Sequence, residues 1–203
     1  MDRKVVNVAI ASVGGQGGLT LSRVLAVAAV YDGLSVRTGE TLGMAQRFGS
    51  VVSYVRFGDS VLSPTFSEGE ADYLIGLELT EALRALKLLK SGGLALVANI
   101  VKPPVTAGLK KEELTAETLL REISKYARTI QVPAAEIAQR AGNPRAINMV
   151  MLGAFVLISS TLSDSSIRSA IAEVVPQRWV ESSIKAYELG RSFVLRKLSS
   201  SSS

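Results

Sequence analysis

The first thirty residues change in character in a way that predicts a strand, a tight loop and a helix. Val5 to Ser12 is a short run rich in β-branched and apolar residues, which favours a strand. Four glycines lie in the next segment, Gly14 to Gly18. Leu19 to Tyr31 is rich in Leu and Ala, contains no Gly or Pro, and stops before Asp32-Gly33, as a helix with a glycine at its carboxyl end does.

Further apolar runs predict a sheet whose strands alternate with helices. Short strands are predicted at residues 35–37, 50–57, 73–76 and 94–98. Leu79 to Leu89 carries apolar residues at three- and four-residue spacing, which predicts a helix that Gly92 and Gly93 end. Strands separated by helices favour parallel crossovers, so the predicted fold class is α/β, with a Rossmann-like, open and mostly parallel sheet.

The helical share rises towards the C-terminus. Helices are predicted at residues 115–126, 134–141, 164–175 and 177–198, and a short strand at 129–132. Asn143 and Pro144 are expected to begin another, strongly apolar helix, with Asn143 as its N-cap. We therefore predict a single domain over residues 1–198 that is helix-rich from about residue 134, with a helical C-terminal extension. The serine tail, residues 199–203, is predicted to be disordered.

Two zero counts exclude much catalytic chemistry. The 203 residues include neither cysteine nor histidine. Without cysteine the chain cannot form a disulfide, a thiolate-bound zinc site or an iron–sulfur cluster, and without histidine it lacks the commonest general base. Ser-His-Asp and Cys-His mechanisms are therefore excluded.

The charge distribution argues against nucleic acid and membranes as partners. The formal net charge is +5, but aromatic residues make up only 5% and no Lys/Arg run exceeds two residues. An anionic small molecule, an acidic protein or a solvated surface with no partner all remain open. Met149 to Ile158, the longest apolar run, is shorter than the roughly 20 residues that cross a bilayer, and no signal region precedes the first strand. We expect a cytoplasmic location.

The glycine cluster is typical of a phosphate-binding loop, because it turns the backbone sharply and leaves N–H groups at the positive end of a helix. In the dinucleotide pattern G-x-G-x-x-G the three positions are Ser12, Gly14 and Gly17, so the match is partial. Arg37, near the predicted end of the second strand, suits an additional phosphate. The alternative, that the glycines only allow the strand and the helix to pack closely, remains open.

Two longer motifs are more specific than this pattern. Residues 13–23 contain the glycine cluster, and residues 40–51 contain Met44-Ala45-Gln46-Arg47. With the motifs at 70–72, 76–78, 143–146 and 148–149, they make most of the chain resemble the gamma-type domain of 2-oxoacid:ferredoxin oxidoreductases. The resemblance is closest to the beta subunit of indolepyruvate:ferredoxin oxidoreductase. Ser12 and Phe48 depart from the family pattern, which usually has glycine at both positions.

The resemblance implies a non-redox subunit of a complex that oxidatively decarboxylates an arylpyruvate such as indolepyruvate, forms an acyl-coenzyme A and reduces ferredoxin. It implies a larger catalytic partner subunit that carries thiamine diphosphate, magnesium and iron–sulfur clusters. The absence of cysteine agrees with this, as does Gly58-Asp59-Ser60, which lacks the asparagine pair that follows Gly-Asp-Gly in thiamine diphosphate sites. The alternatives are a stand-alone nucleotide-binding regulatory module and a structural subunit whose loop contacts only protein.

The resemblance also implies that the chain contributes to coenzyme A binding. The predicted binding residues are those of the glycine loop and of two nearby segments: Gly14, Gly15, Gln16, Gly17, Gly18, Arg37, Gln46 and Arg47. No catalytic residue and no metal ligand is predicted on this chain. Glu78 and Glu81 are expected to cap a helix, and Trp179 is expected in the core or at an interface rather than in the site.

Overall fold

The computed structural model describes residues 5–42, 49–102 and 115–200. These residues form six strands and seven α-helices, which follow one another as β1 (Val6–Val13), α1 (Gly18–Tyr31), β2 (Ser35–Leu42), β3 (Ser50–Gly58), β4 (Ala71–Gly76), α2 (Leu79–Ala85), β5 (Leu89–Ala98), α3 (Ala116–Tyr126), β6 (Arg128–Val132), α4 (Ala134–Arg140), α5 (Ile147–Ser159), α6 (Asp164–Val174) and α7 (Gln177–Ser200). None of these helices is long and apolar enough to cross a membrane.

The strands form one sheet in the order β2-β3-β1-β4-β5-β6. β1, β4, β5 and β6 are parallel neighbours, whereas β3 runs antiparallel to both β1 and β2. The predicted Rossmann-like, mostly parallel fold is confirmed. β3 is reversed because only seven residues, 43–49, connect it to β2, and a parallel connection needs about a dozen or more.

Helices cover both faces of the sheet. Along β5, Leu94 and Leu96 join a core cluster with α1, α5, α6 and α7, whereas Ala95 and Val97 join a second cluster with α2 and α3. This alternation follows from the two-residue period of a strand. The helical third that was predicted as an extension therefore forms one of the two layers on the sheet.

The apolar helix α5 is buried along Met149–Val156, as its composition predicts, and it crosses α7 at two glycines. A Cβ atom on Gly153 would lie 2.0 Å from the carbonyl oxygen of Tyr187, and one on Gly190 would lie 2.1 Å from the carbonyl oxygen of Val150. The side chain of any other residue at these positions would collide with the backbone of the facing helix, so the crossing requires glycine on both helices.

Two predicted helix boundaries are wrong. α2 ends at Ala85 and is followed by a 3-10 turn, Leu86–Leu88, so Gly92 and Gly93 lie inside β5 instead of ending the helix. The second wrong boundary is the C-terminal end of α7. This helix continues through Ser200, so the first two serines of the predicted tail are helical. Residues 201–203 lie outside the described residues.

Asn143 is not the N-cap that its position before proline suggested. α5 begins at Ile147 and its N-cap is Ala146. The Asn143 side chain instead accepts a hydrogen bond from the N–H of Arg145, at 3.1 Å, and donates one to Ser182 Oγ, also at 3.1 Å. It holds the turn between α4 and α5 and ties that turn to α7.

Candidate functional site

The glycine loop lies where two neighbouring parallel strands send their chains to opposite faces of the sheet. β1 leads through the loop into α1 on one face, and β4 leads through Leu77 into α2 on the other. A crevice opens between two such connections at the carboxyl ends of the strands, and ligands of open α/β sheets bind in this crevice. The sheet topology thus places the loop at a position where ligands bind in open α/β folds, which the glycine pattern alone did not show.

Two of the four loop glycines adopt left-handed backbone conformations, Gly15 with φ +90° and Gly17 with φ +85°. The loop closes through the N–H of Gln16, which donates to the carbonyl of Val13 at 3.0 Å. The N–H of Gly14 donates to the carbonyl of Gly49 at 2.9 Å, which joins the loop to the residue just before β3. Left-handed conformations are costly for other residues, so the turn depends on glycine.

The Gln16 side chain forms hydrogen bonds with the backbone on both sides of the crevice. Its Oε1 accepts a hydrogen bond from the N–H of Val13 at 2.8 Å, and its Nε2 donates to the carbonyl of Leu77 at 3.3 Å. One side chain therefore connects the loop after β1 with the connection after β4. Both polar atoms of the Gln16 amide are thus bonded to protein backbone.

Gly17 and Gly18 pack closely against neighbouring side chains. A Cβ atom on Gly17 would lie 2.5 Å from Nδ2 of Asn148, which donates to the Gly17 carbonyl at 3.1 Å. A Cβ atom on Gly18 would lie 2.5 Å from Oγ of Ser12, which is buried below it. The contacts therefore support the packing interpretation for these two glycines.

Gly15 remains open to an approaching ligand. A Cβ atom there would meet no described heavy atom within 4 Å, and the residue is exposed. The loop leads directly into α1, whose first N–H groups have no acceptor inside the helix and whose first turn contains no acidic residue. The positive end of α1 and the exposed turn together can accept an anion such as a phosphate.

Arg37 is not brought to the loop. β2 is longer than predicted, and Arg37 pairs with Arg56, which in turn pairs with Asn7 near the start of β1. Asn7 and Val13 are six positions apart on β1, so Arg37 lies about 20 Å from the level of the loop along the strands. Its guanidinium donates to the carbonyl of Val36 at 2.8 Å.

Gln46 and Arg47, the other predicted charged or polar contacts, lie outside the described residues. Gly49, the first described residue after them, is the one that accepts the hydrogen bond from Gly14. The prediction for both side chains therefore stays a prediction.

Of the two carboxylates expected to cap α2, Glu78 does so, whereas Glu81 lies in the first turn of the helix. Glu78 is buried, with its Oε2 accepting from the N–H of Glu81 at 2.8 Å and its Oε1 accepting from the N–H of Lys102 at 3.0 Å. Glu81 pairs with Arg84 at 2.7 Å. No group of three or more His, Cys, Asp and Glu residues placed to hold a metal ion occurs among the described residues.

Two residues of the 143–149 segment lie at or beside the loop although sequence reasoning did not include them in the site. Asn148 holds the Gly17 carbonyl, and it shares a groove with Arg145 and Thr20, the third residue of α1. They are more than 120 positions from the loop, so no local pattern links them to it. Their presence among the motifs that carried the family resemblance was the available signal.

The sequence matches the family described as pyruvate ferredoxin/flavodoxin oxidoreductase over residues 7–193. The indolepyruvate oxidoreductase subunit IorB of Archaeoglobus fulgidus is 41% identical, over 91% of this chain and 93% of that protein. The IorB subunit of Thermococcus kodakarensis is 38% identical, over 92% and 95%.

Solved structures share the fold. The gamma subunit of a keto/oxoacid ferredoxin oxidoreductase from Geobacter sulfurreducens has a TM-score of 0.71 at 24% identity, over 94% of this chain and 99% of that one. A 2-oxoglutarate:ferredoxin oxidoreductase from Magnetococcus marinus, with 2-oxoglutarate, coenzyme A and succinyl-CoA bound, gives 0.73 at 17% identity, over 95% of this chain and 31% of that one. The resemblance seen in the sequence is confirmed: the chain belongs to the pyruvate ferredoxin/flavodoxin oxidoreductase family and is a homologue of indolepyruvate oxidoreductase subunits.

Proposed function

We propose that this chain is the small subunit of an arylpyruvate:ferredoxin oxidoreductase and that its glycine loop binds the diphosphate of coenzyme A. The single observation that carries the second part is the exposed left-handed turn at Gly15, at the point where β1 and β4 send their chains to opposite faces of the sheet. An arylpyruvate such as indolepyruvate is favoured as substrate because the relatives at 38–41% identity are named indolepyruvate oxidoreductase subunits.

The loop fits a diphosphate in shape and in charge. Gly15 leaves room for close approach, the start of α1 supplies N–H donors and a partial positive charge, and Arg145 adds a guanidinium on the α5 side. Gln16 and Asn148 act through the backbone, since they hold Val13, Leu77 and Gly17 in place. The chain's own contribution is to bind and orient the thioester-forming substrate.

The redox chemistry belongs to a partner in this proposal. The chain has no cysteine with which to ligate an iron–sulfur cluster. We therefore place thiamine diphosphate, magnesium and the clusters on a larger catalytic subunit, with ferredoxin as the electron acceptor of the complex. The cytoplasmic location stays a prediction from the sequence.

The test compares two glycines with the same backbone conformation. Gly15→Leu places a side chain in the turn, whereas Gly33→Leu introduces the same left-handed strain, at φ +74°, after α1 and in equally open space. In the reconstituted complex, Gly15→Leu should raise the KM for coenzyme A about tenfold or more, equivalent to about 1.4 kcal/mol, and Gly33→Leu should not.

The KM for the 2-oxoacid should be unchanged in both variants, because the proposed contact is with coenzyme A alone. An equal rise in both KM values for Gly15→Leu, or dissociation of the complex, would instead assign the loop to subunit assembly.

A further inference from the structure

A small groove opens beside the glycine loop, between the first turns of α1, α5 and α7. We call it the tryptophan groove; its volume is about 160 Å³, and its lining includes Thr20, Arg145, Met149, Pro176, Trp179 and Ser183. Asn148 lines the same groove and bonds to Gly17, so the groove and the loop are contiguous. Pockets that enclose a whole ligand hold about 300–1,000 Å³, so this groove accommodates one ring of a ligand whose remainder lies outside.

The groove offers an aromatic surface. Trp179, the single tryptophan of the chain, is 40% exposed. Met149 and Pro176 line the same groove and add apolar surface beside it. The Arg178 guanidinium carbon lies 5.7 Å from the indole ring centroid. An exposed indole favours binding of a ligand with a flat aromatic ring that can stack on it. The cations beside it favour a ligand that also has a negatively charged group outside the ring.

Two polar groups in the groove have no partner in the described part of the chain. Ser183 lines the groove and is only 3% exposed, yet its hydroxyl forms no hydrogen bond with a described residue. The neighbouring Ser182 differs, because its hydroxyl donates to the Trp179 carbonyl. The Arg145 side chain forms no ion pair or hydrogen bond with a described residue. The Ser183 hydroxyl is not one of the fully enclosed polar atoms without a partner, and the residue lines the groove, so a ligand atom in the groove can form a hydrogen bond with it.

We propose that the tryptophan groove binds a purine base, with the ring stacked on Trp179, a ring-edge atom hydrogen-bonded to the Ser183 hydroxyl, and Arg145 directed at a phosphate of the same ligand. This inference rests on the proposed function, because it assigns the adenine of coenzyme A to the groove while the diphosphate lies at Gly15. The separation of base and phosphate sites matches the size of the groove, which is too small for both.

The first test uses Trp179 as the reporter, since no other tryptophan contributes to the fluorescence of the chain. Adenosine 3′,5′-bisphosphate should quench the emission of the full chain saturably, because a stacked purine contacts the indole directly. Inorganic pyrophosphate, which has no ring, should leave the emission unchanged. Unchanged emission with the bisphosphate, at concentrations that compete with coenzyme A for the reconstituted complex, would overturn the proposal.

The second test separates base recognition from general damage. In the reconstituted complex, Trp179→Leu should raise the KM for coenzyme A about tenfold, within the range measured for the loss of base stacking on an aromatic side chain. Trp179→Phe should retain most of the affinity. The KM for 4′-phosphopantetheine, which lacks the adenosine, should be unaffected by either change. An equal effect on both thiol substrates would show that Trp179 only supports the fold and would overturn the proposal.

The two proposals fail in different ways. If Gly15→Leu raises the KM for coenzyme A and Trp179→Leu does not, the loop binds phosphate and the groove does not bind the base. If neither variant changes it, the proposed function is wrong. If the larger subunit alone quenches Trp179 and the bisphosphate adds nothing, the groove is a subunit contact and the inference is overturned.

Discussion

Gly15 and Gly17 share a left-handed backbone conformation but differ in their surroundings, and this difference sets the first prediction. Gly15→Ala should destabilise the chain by about 1–2 kcal/mol through backbone strain alone. Gly17→Ala adds a clash with Asn148 Nδ2 at 2.5 Å, so its cost should reach about 2–5 kcal/mol. Urea denaturation of both variants measures the two free energies.

A double-mutant cycle identifies the contact responsible. In the Asn148→Ala background the penalty of Gly17→Ala should shrink, because the atom that blocks the new methyl group has been removed. Equal penalties at Gly17 in both backgrounds would show that strain, rather than contact with Asn148, makes that glycine necessary.

A second prediction concerns Asp164, which joins α6 to α7. Its carboxylate accepts hydrogen bonds from Arg168 Nε and Tyr187 Oη, each at 2.7 Å, and pairs with Arg191. Desolvation opposes ionisation, but these three contacts outweigh it and lower the pKa of Asp164 below its ordinary value. A lowered carboxyl pKa stabilises the fold above the ordinary pKa, and that stabilisation is lost as the pH falls through the lowered pKa.

Asp164→Asn should therefore cost about 1 kcal/mol at pH 7, a modest value because water screens an ion pair whose two side chains are both more than one-third exposed. The difference between the variant and the unmodified chain should narrow below about pH 4, where the carboxyl group of the unfolded chain begins to take up a proton. Thermal unfolding between pH 2.5 and pH 7 checks this. A difference that stays constant over that range would contradict it.

For single residues, the sequence alone identified the glycine loop but not the residues that surround it in the fold. The four glycines were recognisable because the strand before them and the helix after them are local patterns. Arg37 was misplaced because β2, with the largely polar sequence Ser35–Leu42, has little of the apolar alternation that marks a strand. Asn148 was not linked to the loop, because tertiary packing brings its distant helix there. Trp179, expected in the core or at an interface, is 40% exposed in a groove that Asn148 also lines.

Among the elements, the crossing of α5 and α7 gives the sharpest prediction. Alanine favours a helix over glycine by about 1 kcal/mol, so Gly190→Ala would stabilise an isolated helix. In the folded chain its methyl group would lie 2.1 Å from the Val150 carbonyl oxygen. The helices must separate, and we expect a net loss of about 3 kcal/mol.

Lys185→Ala provides the control, because Lys185 is an exposed residue of the same helix and its replacement should change stability by less than about 0.5 kcal/mol. Chemical denaturation of both variants measures the contrast. A neutral Gly190→Ala variant would mean that α5 and α7 can move apart at little cost.

Most elements were predictable, since their apolar periods and glycine boundaries are local. The reversed direction of β3 was not, because the prediction rested on strands separated by helices and did not weigh the seven-residue link between β2 and β3. The failure at Gly92 and Gly93 has a similar cause. Pairing of β5 with β4 begins at Leu89 and continues beyond the two glycines, and a glycine in a paired strand looks the same in sequence as one that ends a helix.

For the whole molecule we predict that the purified chain alone shows no visible cluster absorbance and does not reduce a viologen dye with a 2-oxoacid. The reason is chemical, since the chain contains neither cysteine nor histidine. Addition of the larger subunit should restore both properties. Dye reduction by the single chain, free of that partner, would contradict the assignment of the redox groups.

The position of β1 in the sheet has a consequence for motion. β1 is hydrogen-bonded along one edge to β3 and along the other to β4, and Val8 to Ala11 are fully buried. Its amide hydrogens should exchange with solvent deuterium among the slowest in the chain, whereas those of the edge strand β2 should exchange much sooner. The glycine loop begins where this slow strand ends, so its geometry should persist through local openings that expose the sheet edges.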